Sequence, residues 1–145
     1  MLYATLRFLP RISFLFARVS SAQTYGEIFT VNQANELFGP VISSVEVNCD
    51  ELKNMMSLTK DVLLFLIKEN KVEFANKERA SLSDSSYIYD SKIVLKIVSL
   101  NVLRDLLVKG GCGTCFFEIR NNVVSITNGV YTLEKTGDCP PFCLK

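Results

Sequence analysis

The cysteines are the residues whose spacing most clearly indicates chemistry in this chain of 145 residues. Cys112 and Cys115 are separated by two residues, and Cys139 and Cys143 by three, so the chain carries two closely spaced thiol pairs. Four thiolates in two such pairs can bind a tetrahedral Zn²⁺ ion, as they do in a zinc ribbon. The sequence therefore offers Cys112, Cys115, Cys139 and Cys143 as a zinc site.

Two other interpretations of the cysteines are open at this point. The spacing of Cys112 and Cys115 is also that of thioredoxin-like redox pairs, although such a pair normally begins a helix and this one precedes a predicted strand. The third interpretation is that the cysteines are free thiols, which is what we expect for Cys49, alone at a strand end. Five cysteines without a secretory pattern do not predict a disulfide framework and favour a reducing compartment.

The other polar residues do not predict catalysis. The chain has no histidine, which excludes hydrolytic triads and histidine metal sites. The glycine-rich stretch 110–113 lacks a following lysine and precedes a strand, so it is not a phosphate-binding loop. The carboxylates have no spacing that pairs them, and we interpret them as a solvated surface. They include Glu51, Asp61, Glu69, Glu73, Asp105 and Glu118. We expect a protein that is not an enzyme.

Two stretches of the chain, residues 45–76 and 95–128, repeat one order of predicted elements: strand, short helix, strand, tight turn, strand. Each predicted helix has apolar residues at positions i, i+3 and i+4, which lie on one helical face. These residues are Leu52, Met55 and Met56 in the first copy and Leu103, Leu106 and Leu107 in the second. The matched order predicts an internal duplication. The predicted fold class is α+β, with an antiparallel sheet and two helices on one face.

Turn and capping residues set the predicted limits of these elements. Asp50 is predicted to cap the first repeat helix, Ser99 or Asn101 the second, and Asn32 a short helix before the repeat. The apolar run 62–67 predicts a strand buried on both faces, followed by a hairpin turn in which Asn70 adopts a left-handed backbone. The stretch 116–135 predicts a three-stranded meander with turns at 121–122 and 128–129.

The chain divides into four segments. Residues 1–22 contain three arginines and no carboxylate, and resemble a mitochondrial transit peptide, the alternative being an ordered basic arm. Charged residues interrupt the apolar run there, so no membrane span is predicted. Residues 23–40 lead into the duplicated core at 41–135, and residues 136–145 form a tail that contains cysteine and proline.

The duplicated unit resembles one domain of a DNA sliding clamp, the family of proliferating cell nuclear antigen and the bacterial polymerase beta clamp. The resemblance covers residues 43–135 and depends on the order of elements around the stretches Val45–Lys53, Leu66–Phe74 and Lys96–Leu107. In that family the helices line a central hole and present cations to the phosphate backbone. The matching positions are Lys53, Lys60, Arg104 and Lys109. The alternative is that these cations solvate two amphipathic helices.

Two functions follow as hypotheses. The first is a clamp-like processivity or scaffold factor that associates with DNA, or with a replication or transcription complex, as an oligomer or as a subunit of a larger assembly. The second is a structural accessory subunit of a mitochondrial ribosome or respiratory complex, with a zinc ribbon. The net charge of +1 provides no overall field toward nucleic acid, but it allows a local basic face.

Overall fold

The computed structural model describes residues 23–140, so the predicted leader at 1–22 and Cys143 lie outside the described residues. The helices of this part are α1 (Val31–Phe38), α2 (Cys49–Ser57) and α3 (Leu100–Val108). The strands are β1 (Glu27–Thr30), β2 (Ser43–Asn48), β3 (Val62–Lys68), β4 (Lys71–Ala75), β5 (Leu95–Ser99), β6 (Thr114–Arg120), β7 (Val123–Thr127), β8 (Tyr131–Glu134) and β9 (Gly137–Cys139). None of the described helices is long and apolar enough to cross a membrane.

The strands form two antiparallel sheets, which confirms the predicted α+β class. The first sheet has the order β1-β8-β7-β6-β2, and the second has the order β4-β3-β5-β9. The predicted meander is present as β6, β7 and β8, with Asn122 in the left-handed region at φ 62° and Gly129 at φ 91°. In the β3–β4 turn it is Glu69, at φ 34°, that takes a positive φ, and not Asn70 as predicted.

The duplication is visible in the strand register. The unit β2-α2-β3-β4 corresponds to β5-α3-β6-β7, and both helices have 9 residues. The two units exchange strands, because β2 pairs with β6 of the second unit and β5 pairs with β3 of the first. Asn48 precedes α2 and pairs with Thr114, whereas Ser99 precedes α3 and pairs with Val62. The two halves therefore use the same register of pairing.

The main hydrophobic core lies between the sheets and includes the buried faces of α2 and α3. Phe65 of β3 and Phe117 of β6 occupy corresponding positions in the two units, and their rings meet edge to face with centroids 5.1 Å apart. Leu52 of α2 and Leu103 of α3, also corresponding, are both fully buried in this core. The first residues of β3 are buried on both faces, as predicted, because a second cluster packs on the outer face of the second sheet.

The helix caps differ from the predicted ones. Asn48, not Asp50, caps α2, and its Oδ1 accepts hydrogen bonds from the backbone N–H groups of Asp50 and Glu51. Asp50 lies in the first turn, where a negative charge still favours the helix. Thr30, not Asn32, caps α1, with Gln33 completing a capping box. Ser99 does precede α3, but its hydroxyl accepts from the N–H of Tyr25 and leaves the helix end uncapped.

Candidate functional site

A shallow groove lies between α2 and α3, and the internal repeat accounts for its lining. The groove has a volume of about 370 Å³. Its walls consist of three pairs of residues, each pair from corresponding helix positions. The pairs are Lys53 with Arg104, Met56 with Leu107, and Ser57 with Val108. Since the two helices present the same positions to the groove, it has a cation on each side and an apolar floor.

The four cations predicted to contact DNA are all exposed, but only two of them share the groove. Lys53 and Arg104 line it, whereas Lys60 and Lys109 follow the C-terminal ends of α2 and α3. Lys109 lies with its Nζ 5.8 Å from the centroid of the Tyr131 ring, a cation-π contact. Within residues 23–140 none of the four forms an ion pair. Their charges are thus available to an anionic partner.

Carboxylates lie on the same helices and limit the local positive potential. Asp50 and Glu51 are exposed in the first turn of α2, and Asp105 is exposed next to Arg104 on α3. The surface of the helix pair therefore carries charges of both signs. The charged residues that line the groove, Lys53 and Arg104, are both cations.

Three cysteines meet at the N-terminal end of α2. Cys49 is the first residue of that helix, Cys112 lies in the loop before β6, and Cys115 lies in β6 opposite Val47. Cys49 and Cys112 form a disulfide, and the Cys115 Sγ is 3.2 Å from the Sγ atom of each. Burial raises the pKa of the Cys115 thiol to about 11, against the opposing effect of the nearby Lys53 charge.

This arrangement corrects several predictions about the cysteines. Cys49 is not an isolated thiol, and Cys112 pairs with Cys49 instead of forming a redox pair with Cys115. Disulfides are present although the count did not predict them, since Cys139 is disulfide-bonded as well. Sequence spacing missed Cys49 because the strand exchange between the two units brings β6 next to β2, which leads directly into Cys49.

The four cysteines proposed as a zinc site are not brought together among the described residues. Cys112 and Cys115 lie beside Cys49 and the main core, whereas Cys139 lies in β9 and the second hydrophobic cluster. There Arg79 Nη1 donates to the Cys139 carbonyl oxygen and lies 3.2 Å from its Sγ. Cys143 lies outside the described residues.

A buried ionic cluster lies on the outer face of the first sheet, beneath α1. Arg120 and Glu134 are 1% and 0% exposed, with the Arg120 Nε 3.2 Å from a Glu134 carboxylate oxygen. A second ion pair joins Arg120 to Glu118 at 3.6 Å. Ser125 and Thr132 donate hydrogen bonds to Glu134. Glu118 is only 14% exposed, so its predicted role as a solvated charge is wrong.

The same cluster joins the sheet to α1. Arg120 Nη1 donates to Asn35 Oδ1 on α1 at 2.7 Å and to the carbonyl oxygen of Gly39 at the end of that helix. Burial raises the pKa of Glu134 and of Glu118 in spite of the Arg120 charge. Every buried side-chain nitrogen or oxygen in the described part has a hydrogen-bond partner, so the cluster offers no unsatisfied group to a substrate. We interpret it as a structural anchor.

The sequence contains a signal for this cluster that the prediction did not use. In each strand of a meander, every second residue lies on the same face of the sheet. Glu118 pairs with Ser125, and the neighbouring pairing of Ile126 with Leu133 places Ser125 beside Glu134 on the same face.

Comparisons with protein-family models, curated proteins and solved structures gave no match for the chain.

Proposed function

We propose that this chain is a non-enzymatic, clamp-like protein that holds the nucleic-acid backbone through the groove between α2 and α3. The observation that carries the proposal is the position of Lys53 and Arg104. They are the fifth residues of two helices related by the internal repeat, and they lie on opposite sides of one groove. A paired arrangement of exposed cations suits a polyanion with regularly spaced charges.

Contact of this kind is sequence-independent. Long, exposed lysine and arginine side chains neutralise phosphates, release counterions and leave the bases unread. The apolar floor formed by Met56, Leu107 and Val108 offers no hydrogen-bonding groups from its side chains with which to read base edges. The resemblance to sliding clamps implies the same use of the helix face.

Assembly is part of the proposal, because one domain provides one cationic groove and a clamp encircles DNA with several. The edge strand β2 supports this. No described strand pairs with its outer edge, and Val41 and Ile42, just before it, are exposed apolar residues. An edge strand without a second hydrogen-bonded neighbour, beside exposed apolar side chains, favours pairing with another chain at the part of the edge that β4 does not approach. We therefore propose that the protein acts as an oligomer or within a larger complex.

The salt dependence of DNA binding tests the proposal. The variant Lys53→Ala/Arg104→Ala should reduce the slope of log affinity against log salt by about 0.9 for each phosphate that the variant no longer neutralises. The matched control is Lys77→Ala/Lys92→Ala, which removes the same charge from exposed positions in the connector between β4 and β5. Fluorescence anisotropy of a labelled duplex gives both slopes. Equal slopes for the groove variant and the control would reject the groove as the binding surface.

Native mass measurement of the full chain, with and without DNA, tests the assembly. A closed oligomer of about six copies, as a ring of single domains requires, would support the clamp-like function. A monomer whose native mass does not change when DNA is added at low salt would instead favour the second hypothesis, a structural accessory subunit of a mitochondrial assembly.

A further inference from the structure

We propose that Cys49, Cys112 and Cys115, when reduced, form a Zn²⁺ site with three thiolate ligands. The sulfur atoms of the three residues all lie within 4.8 Å of one another. They come from three different elements: the start of α2, the loop after α3, and β6. A disulfide accounts for two converging cysteines but not for a third at 3.2 Å from both, whereas zinc uses all three.

The loop that carries Cys112 is held by interactions that do not involve sulfur. Gly110 and Gly111 have φ values of 76° and 74°, a left-handed conformation that the absence of a Cβ permits. The side-chain amide of Asn128 donates to the carbonyl oxygens of Leu106, Lys109 and Gly111. The N–H of Cys49 donates to the carbonyl oxygen of Gly113. Reduction of the disulfide therefore leaves Cys112 near its two partners.

Burial opposes ionisation of the Cys115 thiol, and two features of the surroundings offset part of that cost. Cys49 is the first residue of α2, where the partial positive charge of the helix N-terminus stabilises an anion. The positive charge of Lys53 acts on Cys115 and offsets part of the negative charge of three thiolates around Zn²⁺. The described residues add no fourth side-chain ligand to the group. Cys112 is only partly buried, so solvent can complete the tetrahedron at that side.

The disulfide and the metal exclude each other. A dithiol reductant transfers two electrons and two protons to the Cys49–Cys112 bond, which breaks to give two thiols, and the reductant leaves as its own disulfide. Zn²⁺ then displaces three protons from Cys49, Cys112 and Cys115. The reverse change requires a two-electron oxidant, such as a disulfide of another molecule, which takes the two electrons as the Cys49–Cys112 bond forms, and the metal is released because the site loses two of its thiolate ligands. The site would thus hold zinc only under reducing conditions.

Cobalt and zinc titrations of the reduced full chain test the site. Co²⁺ should bind at about one equivalent with thiolate-to-cobalt charge-transfer absorption, and Zn²⁺ should displace it. Cys49→Ser should lower the affinity at least about tenfold, while Cys143→Ser should leave it unchanged. Cys112 and Cys115 belong both to this three-cysteine site and to the four-cysteine site that the spacing predicts. Cys49 belongs only to the first site and Cys143 only to the second, so these two variants distinguish the sites. The proposal would be overturned if Cys143→Ser lost metal binding, or if Cys49→Ser bound the metal as tightly as the unmodified chain.

A measurement on the unmodified protein covers the case in which a variant fails to fold. Peptide mass spectrometry after timed alkylation gives the reaction rate of each thiol in the reduced chain. Zn²⁺ should slow the alkylation of Cys49, Cys112 and Cys115 together and leave the rates of Cys139 and Cys143 unchanged. Equal rates with and without Zn²⁺ at the three cysteines, or protection of Cys139 and Cys143 with them, would refute the site.

Discussion

Replacing Arg120 with methionine should strongly destabilise the protein, because it leaves a buried carboxylate without its cation. Glu134 is 0% exposed and has Arg120 as its ion-pair partner at 3.2 Å. The substitution also removes the hydrogen bonds that Arg120 donates to Asn35 and Gly39 at α1. Methionine keeps much of the length and apolar volume of the side chain, so a cavity is not the main cost. The main effect is the removal of charge compensation.

The magnitude follows from the burial of both partners. Breaking a buried ion pair by removing one partner costs about 3–5 kcal/mol. With a urea m-value of about 2 kcal/mol/M for a domain of this size, the unfolding midpoint should fall by about 2 M. The double variant Arg120→Met/Glu134→Leu should lose less, because no charge is then left buried, although acceptors on α1 remain unpaired at about 1–3 kcal/mol. The difference between the two variants gives a lower limit on the cost of the uncompensated charge, because Glu134→Leu also removes the hydrogen bonds that Ser125 and Thr132 donate to Glu134.

Urea unfolding at several pH values tests charge burial as the cause. Burial raises the pKa of Glu134 above its ordinary value of 4.5, and loss of Arg120 raises it further. A carboxyl whose pKa is higher in the folded state costs stability as pH rises from the unfolded value through the folded one. The deficit of Arg120→Met should therefore be largest near neutral pH and shrink as pH falls toward 4.5. An equal, pH-independent loss in the single and double variants would refute this explanation.

Two further predictions concern the second sheet. The Tyr89 hydroxyl, with Lys68 and Lys71, lowers the pKa of Glu73 below 4.5. Glu73→Gln should therefore lower the free energy of unfolding by on the order of 1 kcal/mol at neutral pH. This difference, measured by urea unfolding, should disappear as pH falls below 4.5, and a difference that stays constant with pH would contradict the prediction. A Cβ at Gly137 would overlap the Tyr25 ring, so Gly137→Ala should lower the free energy of unfolding by about 1–3 kcal/mol. Gly113→Ala, with no atom within 4 Å of the added Cβ, is the control, and equal losses would exclude the steric explanation.

Local patterns predicted the parts of the fold that depend on near neighbours in sequence. The i, i+3, i+4 spacing of Leu52 and its partners identified α2 and α3, and the asparagine-containing turns identified the meander. The cap of α2 was misplaced by two residues, because Asn48 and Asp50 have equal capping preferences and only the backbone geometry distinguishes them. The short strands β1 and β9 have no alternation long enough to be recognised.

Long-range pairing could not be predicted, and the candidate sites depend on it. Nothing local indicates that β2 pairs with β6, yet this pairing brings Cys49 to Cys115. The ionic cluster was missed for a related reason. Arg120 and Glu134 look like ordinary surface charges until α1, earlier in the chain, is placed over that face of the sheet. In the groove, by contrast, the repeat contains the signal: aligning Leu52 with Leu103 places Lys53 opposite Arg104 in the two copies, although the prediction named these cations only from the resemblance to clamps.

The comparison of α2 with α3 favours a binding role for those two cations over simple solvation. At exposed helix positions outside the groove, the charge of the residue changes between the copies: Asp50 corresponds to Asn101, and Asn54 to Asp105. Solvation of a helix face is satisfied by any polar residue, so it places no constraint on the sign of a charge. At the position where the two helices face one another across the groove, both copies carry a cation. Two like charges that line one groove repel each other to the extent that solvent does not screen them, and an anion bound between them would reduce that repulsion. This pairing of cations is the reason why we propose that an anion binds in the groove, and a polyphosphate backbone is an anion of the required kind.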